Sequence, residues 1–171
     1  MPRKISLQPL RRRRKRSPGS PHLLVRRSNI HSEGCFTTIP IKSGAVVVEY
    51  TGRRLTIDQA DTLYDNHPRT YLFGLSDGKL VIDGDGVAAF INHSCAPNCE
   101  ADEVDGRVFI NSIRDILPGE ELTYDYNLYD GEMEDLSSCS CGSQKCRGTM
   151  YSEKEIKKRE RALKRRRKQA I

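Results

Sequence analysis

The sequence lacks the features of several large protein classes. No apolar run approaches the roughly 18–20 residues that a membrane-spanning helix needs. The basic N-terminus has no apolar segment behind it, so we expect neither a secretory signal nor a membrane protein. There is no internal repeat, and no Gly-x-Gly-x-x-Gly opens a strand–turn–helix unit, which argues against a Rossmann-type cofactor site. The 171 residues suffice for one domain with a hydrophobic core and not for two.

Charge is divided unevenly along the chain, although the net charge is only +6. Residues 1–27 contain ten Lys/Arg and no acidic residue, and residues 153–171 carry a net +7. Residues 28–152 carry −11, so an acidic domain lies between two basic tails. The tails bind nucleic acid or another polyanion, or act as nuclear-import signals, or are solvated and disordered ends. The field of the acidic body favours a cationic peptide as partner.

Short apolar runs rich in β-branched and aromatic residues alternate with Gly, Asp and Asn, a pattern typical of β-strands. The clearest runs are 45–50, 71–75, 80–82 and 108–110. The dipeptides Asp77-Gly78 and Asp105-Gly106 lie between such runs and predict hairpin turns. The sequence therefore predicts a mainly β protein.

Two segments have helical patterns. Apolar residues at helical spacing predict a short helix at 56–64, with Thr56 as its N-cap. Ser152 and Glu155 form the capping-box pattern of a second helix. That helix is marginal without a partner, because it has few apolar residues to bury. They are Ile156, Ala162 and Leu163.

Six cysteines in a chain without a secretory signal predict a reducing compartment, and metal binding rather than disulfides. Cys139, Cys141 and Cys146 offer three thiolates within eight residues, whereas structural zinc needs four ligands. The alternative is that these are reduced surface thiols. Cys35 and Cys99 stand apart, and we expect both to be buried as small apolar residues.

Three motifs follow one another: Asn-His-Ser-Cys at 92–95, Glu-Leu-Thr-Tyr-Asp-Tyr at 121–126, and the cysteine cluster at 139–146. Together they resemble the SET-domain family with its post-SET zinc motif, whose members are mainly protein-lysine methyltransferases that use S-adenosylmethionine. The resemblance runs from about residue 29 to residue 151. It implies a SET-domain fold of short strands in small sheets, with a knot-like threaded crossing and a C-terminal zinc clip.

The resemblance, together with the charge and pattern of the two ends, predicts a division of the chain. The parts are a basic disordered arm at 1–22, a SET domain at 23–130, a post-SET zinc-binding segment at 131–151, and a basic C-terminal helix or tail at 152–171. Two positions depart from the family pattern. Ser32 replaces the first glycine of a usual Gly-x-Gly, which bears on the tightness of that turn. Segment 85–92 lacks the usual Asn and Arg, so we expect the crossing to survive with weaker polar tethering.

Ligands for a metal and a cofactor follow from the same resemblance. The resemblance implies that Cys95 joins the three clustered cysteines as the fourth ligand of one zinc ion. The C-terminal zinc clip would then close over the site near Asn92. The resemblance also implies that Asn92 and His93 bind the amino-acid and adenine parts of S-adenosylmethionine. The implied zinc ligands are Cys95, Cys139, Cys141 and Cys146. The implied cofactor-binding residues are His31, Glu33, Gly34, Cys35, Tyr71, Asn92 and His93, with main-chain contacts around Gly34.

Three tyrosines are the catalytic residues that the resemblance implies. Methyl transfer to lysine needs a neutral amine, and an apolar aromatic channel both attracts the cation and favours loss of its proton. The family gives Tyr126 the catalytic role and places Tyr124 where it influences how many methyl groups are added. Tyr71 borders both the channel and the cofactor. Taken singly, each would be an ordinary strand tyrosine.

The favoured hypothesis is an S-adenosylmethionine-dependent protein-lysine N-methyltransferase that modifies basic protein tails, histone or histone-like, and adds mainly one or two methyl groups. One alternative is a catalytically weak SET module that binds proteins or nucleic acid. Another is a polyanion-binding zinc protein whose basic arms carry the function. We expect a monomer that binds a lysine-containing protein or peptide inside the cell, in a nucleus or in the nucleoid or cytoplasm of a cell without one.

Overall fold

The computed structural model describes residues 20–65, 71–129, 131 and 135–169, and only the backbone of 167–169. Almost all of the predicted basic arm at 1–22 lies outside the described residues. The strands are β1 (Leu23–Arg27), β2 (Glu33–Thr37), β3 (Val46–Tyr50), β4 (Gly52–Thr56), β5 (Leu72–Gly74), β6 (Leu80–Gly84), β7 (Asn92–His93), β8 (Cys99–Val104), β9 (Arg107–Ser112) and β10 (Thr123–Tyr124). The helices are α1 (Ile57–Tyr64), α2 (Glu153–Gln169) and a short 3-10 helix, Val87–Phe90.

Within the described residues the strands form small sheets, and the prediction of a mainly β fold is confirmed. β1 and β2 form an antiparallel hairpin. The orders β3–β9–β8 and β4–β6–β5 define two three-stranded antiparallel sheets. β7 and β10 form a short parallel pair.

Both predicted hairpin turns are present. Between β8 and β9, Asp105 and Gly106 have φ values of 52° and 69°, as a two-residue turn of type I′ requires. Between β5 and β6, Gly78 has a φ of 64° and the Asp77 carboxylate accepts a hydrogen bond from the Lys79 amide at 2.8 Å. These turns fix the registers of two sheets.

The core lies between the sheets and the 3-10 helix. Its fully buried side chains include Ile91, Ile110 and Leu122. Cys35 and Cys99 are both 0% exposed, as predicted. Burial, the largest contribution, raises the pKa of each thiol to about 12, so both stay protonated and behave as small apolar residues.

Helix α1 confirms the prediction at 56–64. The Thr56 hydroxyl accepts from the Gln59 amide at 3.2 Å, and the Gln59 side chain accepts from the Thr56 amide at 3.0 Å. These two bonds complete a capping box. The helix buries Ala60 and packs on β4 and β6.

Helix α2 begins where predicted, but its cap and its packing differ from expectation. The Ser152 hydroxyl accepts from the Glu155 amide at 3.2 Å, whereas the Ser152 amide donates to the Leu128 carbonyl at 2.9 Å. The Glu155 carboxylate instead binds Arg159 at 3.1 Å. The helix is therefore attached through Arg159, which lies over the Tyr151 ring and donates to the carbonyls of Gly131 and Asp135, rather than through an apolar stripe. Neither α-helix in the described residues is long and apolar enough to cross a membrane.

The β7–β10 pair positions the functional motifs. Thr123 pairs with Asn92, and Tyr124 pairs with His93, so the first two motifs lie side by side. The Ser94 amide extends the contact by donating to the Tyr124 carbonyl at 3.1 Å. The threading of the chain at this crossing stays a prediction.

Candidate active site and metal centre

A cavity of about 630 Å³ lies beside the β7–β10 pair. The predicted site residues that line it are His31, Glu33, Tyr71, Asn92, His93, Tyr124, Tyr126 and the predicted metal ligand Cys139. Gly34 and Cys35 do not line this cavity, and the side chain of Cys35 lies in the core. Residues from well-separated parts of the sequence therefore meet at one cavity.

Asn92 joins the β1–β2 turn to the second motif. Its Nδ2 donates to the Glu33 carbonyl at 3.0 Å and to Glu121 Oε1 at 2.8 Å. The same carboxylate accepts from the Ser28 hydroxyl at 2.8 and 2.9 Å. Glu121 was not predicted as a site residue, although it opens the Glu-Leu-Thr-Tyr-Asp-Tyr motif. Through these hydrogen bonds Glu121 links Ser28, at the start of the β1–β2 turn, to Asn92.

The turn around Gly34 is tight for two reasons. A Cβ at Gly34 would displace the Glu121 carboxylate, so a side chain there would disturb its hydrogen bonds to Ser28 and Asn92. Ser32, the departure from the family pattern, has a φ of 45° and so adopts the left-handed conformation that glycine favours. A non-glycine residue adopts this conformation at a cost of about 1–2 kcal/mol. The turn is therefore kept, with local backbone strain at Ser32.

Asn98 is a second residue that sequence reasoning missed. It is buried, its Nδ2 donates to the Glu121 carbonyl at 2.8 Å, and its Oδ1 accepts from the Thr123 amide at 2.8 Å. It thereby holds the start of the second motif against the end of the first. Its place directly after Asn-His-Ser-Cys-Ala-Pro was the one local signal for this role.

Aromatic rings form one wall of the cavity. The rings of Tyr124 and Tyr126 are 4.9 Å apart between centroids, and Tyr71 is 5.6 Å from Phe90. Phe73 lies 6.2 Å from Tyr124 and continues the wall. The three tyrosines that the sequence grouped together are thus neighbours in space. Such a wall can attract an alkylammonium cation and exclude water from it.

The hydroxyls of Tyr124 and Tyr126 differ in their contacts. Tyr126 donates to the Ile91 carbonyl at 2.9 Å, which fixes its oxygen at the cavity. Within the described residues, the Tyr124 hydroxyl has no hydrogen bond to another protein group. Burial, the largest contribution, raises the pKa of both phenols, so both are neutral at physiological pH.

His93 connects the cavity to the cysteine cluster. Its Nδ1 accepts from the Tyr126 amide at 3.1 Å, so a neutral ring carries its proton on Nε2, which lies 3.3 Å from Cys95 Sγ. Burial, the largest contribution, lowers the His93 pKa, Asp125 opposes this, and Arg147 adds to it. The imidazole is therefore neutral near pH 7 and can donate to the cysteine sulfur.

The four predicted cysteines converge at one point. Their sulfur atoms all lie within 4.8 Å of one another. Zinc bound tetrahedrally by sulfur at about 2.3 Å separates its ligands by roughly 3.8 Å, and Cys95 Sγ lies 3.7 Å from Cys139 Sγ. The donor set and its spacing fit one structural zinc ion held by Cys95, Cys139, Cys141 and Cys146.

Backbone amides around the cluster favour thiolates. The Arg147 amide lies 3.3 Å from Cys95 Sγ, and the Gly148 amide lies 3.4 Å from Cys146 Sγ. Burial raises the pKa of the Cys95 and Cys139 thiols. Burial also acts to raise the pKa of Cys141, but backbone hydrogen bonds and neighbouring thiols outweigh burial there and lower the pKa to about 6. Donors aimed at sulfur are what a metal-bound thiolate site requires, because the ligands must lose their protons.

An ion pair ties the zinc-binding segment to the second motif. Both Nη atoms of Arg147 bind the Asp125 carboxylate, at 2.6 and 2.8 Å. Burial raises the Asp125 pKa, but the Arg147 hydrogen bonds and the Asn127 amide lower it below its usual value. Asp125 lies between two cavity tyrosines, so the pair links the cysteine cluster directly to the cavity wall.

Replacement of Arg147 by methionine should lower the free energy of unfolding at pH 7 by about 1.5–3 kcal/mol, because it leaves a partly buried carboxylate without its charged partner. Arg107→Met is the matched control, since Arg107 binds Glu49 equally closely at 2.6 and 2.9 Å but is 57% exposed. It should cost about 0–1 kcal/mol. Urea unfolding measures both values, and equal losses would contradict a special role for the Asp125 pair.

The Asp125–Arg147 pair also predicts how the free energy of unfolding depends on pH. Because the Asp125 pKa is lowered in the folded protein, its contribution to stability is present above the unfolded-state value of about 3.9. It is lost as the pH falls through the lower folded-state pKa. In Arg147→Met this acid-sensitive part of the stability should shrink.

The fold and site define a small β protein whose cysteine cluster closes one side of an aromatic cavity. A model of the SET domain matches residues 32–127. The chain therefore belongs to the SET-domain family. The match includes Glu33, Tyr71 and the two motifs at 92–95 and 121–126, and it begins one residue after His31.

Curated relatives resemble the chain over most of its length. It is 41% identical over 134 residues to "Histone-lysine N-methyltransferase trithorax" of Drosophila virilis, which covers 72% of this chain and 3% of that protein. It is 39% identical over 135 residues to "Histone-lysine N-methyltransferase, H3 lysine-4 specific" of Emericella nidulans, covering 71% and 11%. It is 38% identical over 134 residues to "Histone-lysine N-methyltransferase 2B" of Homo sapiens, covering 72% and 5%. The chain thus spans only a small part of these relatives.

Proposed function

We propose that this chain is an S-adenosylmethionine-dependent protein-lysine N-methyltransferase that acts on basic, histone or histone-like protein tails. The observation that carries the proposal is the single cavity in which the aromatic wall of Tyr71, Tyr124 and Tyr126 meets Asn92 and His93. Membership of the SET-domain family and the names of the relatives support it.

The polar end of the cavity suits the cofactor. Both protons of the Asn92 amide group are used within the protein, and its Oδ1 makes no hydrogen bond within the described residues. This oxygen is an acceptor for an α-ammonium group, and the main chain near His31 and His93 offers further polar groups. When bound, S-adenosylmethionine supplies a methyl group on a sulfonium. The cofactor end is the part of the cavity that the strained turn at Ser32 shapes.

The aromatic end of the cavity suits a lysine side chain. Free lysine has a pKa near 10.4 and must lose its proton before it attacks a methyl group. Burial between rings opposes the charged form and so favours that loss. The raised pKa values of Tyr124 and Tyr126 make ionised phenols unfavourable, so these residues act by positioning rather than as bases. Tyr126 presents an oxygen that its bond to the Ile91 carbonyl holds in place.

The substrate class follows from charge. Residues 28–152 carry a net −11, which attracts a cationic tail, and Glu33 and Asp61 line the cavity itself. We further propose that the domain boundaries are those predicted from the sequence, at 23–130 and 131–151. We also propose that the chain acts as a monomer where histones or histone-like proteins contact DNA, in a nucleus or a nucleoid.

The direct test is transfer of a labelled methyl group to an N-terminal histone H3 peptide. We expect incorporation into the lysine-containing peptide and none into a matched peptide in which every lysine is arginine. Arginine keeps the charge but cannot become a neutral amine near pH 7. Equal labelling of both peptides, or labelling of neither peptide nor of any protein in a basic-protein extract, would contradict the proposal.

The alternative is a catalytically weak SET module that binds protein or nucleic acid. The strained Ser32 turn and the missing Asn and Arg of segment 85–92 favour it. Calorimetric titration with S-adenosylmethionine and a turnover assay separate the two. Binding of cofactor and peptide without any turnover would support the alternative.

Replacement of Tyr124 by phenylalanine should shift the products from mono- and dimethyl-lysine toward trimethyl-lysine. The Tyr124 hydroxyl has no protein partner in the described residues, so it is available to hold the amine or a water molecule. Either contact occupies the space in which a methylated amine would turn. A change of about 1.4 kcal/mol in relative barriers alters a rate ratio tenfold. Mass spectrometry of a peptide carried to completion decides it, and mostly trimethyl-lysine from the wild type would refute this role.

A further inference from the structure

Helix α2 concentrates positive charge at the C-terminal end of the chain. Ten of its 17 residues are Lys or Arg and three are Glu, a net of +7. The body at 28–152 carries −11, so the helix and the body have opposite signs. A polyanion that the body repels is therefore attracted to α2.

One face of α2 is fixed to the zinc-binding segment. Glu155 and Arg159 are only 6% and 9% exposed. The Arg159 guanidinium lies 3.7 Å above the Tyr151 ring and donates to the carbonyls of Gly131 and Asp135, each at 3.0 Å. These contacts define the rotation of the helix about its own axis, so its outward face is constant.

The outward face of α2 is mainly cationic, with the exposed Glu153 and Glu160 at one edge. At 3.6 residues per turn, Lys157, Arg161 and Lys164 lie roughly opposite the face that Glu155 and Arg159 bury. All three are exposed. Three more exposed cations flank them: Lys154, Lys158 and Arg165. Lys157 and Lys158 lie 3.9 and 3.0 Å from glutamates of the same helix, and such exposed pairs are weak enough to exchange for a polyanion.

We propose that the outward face of α2 docks on double-stranded DNA and binds chiefly its backbone phosphates. Duplex DNA presents one charge per roughly 1.7 Å of axis, and the residues 154–165 extend over about 16 Å of helix. The major groove of DNA, about 12 Å wide, admits an α-helix. The major groove of an RNA duplex is deep and narrow and does not admit side chains.

A membrane surface fits α2 less well than DNA does. A helix that lies in a bilayer interface needs a broad apolar face. The apolar residues of α2 are Ile156, Ala162 and Leu163, and Ile156 and Ala162 are partly buried by the protein itself. The DNA proposal does not depend on methyl transfer, because none of the α2 residues lines the cavity.

The test is the salt dependence of binding to a labelled DNA duplex of about 20 base pairs, measured by fluorescence anisotropy with the full chain. The helix variant combines Lys157→Gln, Arg161→Gln and Lys164→Gln, since glutamine keeps a high helix propensity. The slope of log K against log salt is negative, and each lost phosphate contact makes it shallower by about 0.9. For the three replacements we expect the magnitude of this slope to decrease by about 2.7. We also expect binding to be weaker by on the order of 10²-fold at about 0.1 M salt.

The matched control removes the same charge from exposed positions outside α2, by Lys42→Gln, Arg53→Gln and Lys79→Gln. Its slope should stay close to that of the wild type, and both variants should retain wild-type circular dichroism and zinc content. An unchanged slope in the helix variant would overturn the proposal and assign binding to the basic N-terminal residues. Equal losses in both variants would also overturn it, as would a polyglutamate peptide that competes as well as the duplex does.

Discussion

Replacement of Tyr126 by phenylalanine is expected to slow methyl transfer by roughly 10²–10³-fold, the usual effect of removing one positioned oxygen contact from a dry site. The hydroxyl is held by the Ile91 carbonyl at 2.9 Å, and the ring lies edge-on to His93 at 5.3 Å. The change removes one oxygen and almost no volume. Turnover with saturating peptide and cofactor measures the effect, and cofactor affinity should change little.

Stability and a control variant make the Tyr126 result specific. Loss of the bond to the Ile91 carbonyl should cost about 1 kcal/mol of unfolding free energy. Tyr50→Phe removes a similar bond, from the Tyr50 hydroxyl to the Tyr71 carbonyl at 2.8 Å, in the same aromatic cluster. Tyr50→Phe should lower the free energy of unfolding about as much as Tyr126→Phe does, but it should reduce the rate of methyl transfer only slightly. Wild-type turnover in Tyr126→Phe would mean that the hydroxyl is structural.

Replacement of Cys141 by serine is expected to abolish both zinc binding and activity. The four sulfurs join residue 95 to the segment at 139–146, and Ser138, Cys139 and Ser140 line the cavity. Loss of the metal therefore removes a wall of the cavity as well as a stabilising crosslink. We expect one zinc per chain in the wild type by elemental analysis, and none in the variant.

A core cysteine provides the control for the zinc prediction. Cys99→Ala changes a fully buried thiol outside the cluster, so it should lower stability while it keeps one zinc per chain and most activity. Treatment of the wild type with a strong chelator should reproduce the Cys141→Ser phenotype. Full activity in a metal-free, chelator-treated sample would falsify the structural role of zinc.

Strands β3, β5, β6 and β9, the two hairpin turns and the starts of both helices followed from the sequence because their signals are local. Alternation of apolar residues, Asp-Gly dipeptides and the Thr56–Gln59 spacing each act within a few residues. The motif order at 92–95, 121–126 and 139–146 also predicted which residues meet at the cavity. No local signal predicted the hydrogen bond between Ser28 and Glu121, because these two residues are 93 positions apart in the sequence.

The docking of α2 shows where sequence reasoning failed. The sequence predicted a helix that is marginal without a partner, because few apolar residues were available to bury. The structure uses Arg159 instead, whose partners Gly131 and Asp135 lie 28 and 24 residues earlier in the chain. A basic residue in a basic helix resembles its solvated neighbours in the sequence, and only its burial against Tyr151 sets it apart.

The sequence by itself determined the class of fold, and the family resemblance of its motifs predicted the four cysteines that converge and the tyrosines that border the cavity, because these depend on residue type, spacing and order. Only the tertiary structure decided how the parts are held together. A side chain at Gly34 would displace the Glu121 carboxylate that packs there, and Asp125 binds Arg147 because the cysteine-cluster segment folds back beside the second motif. Such requirements come from contacts between distant residues, which composition and periodicity do not contain.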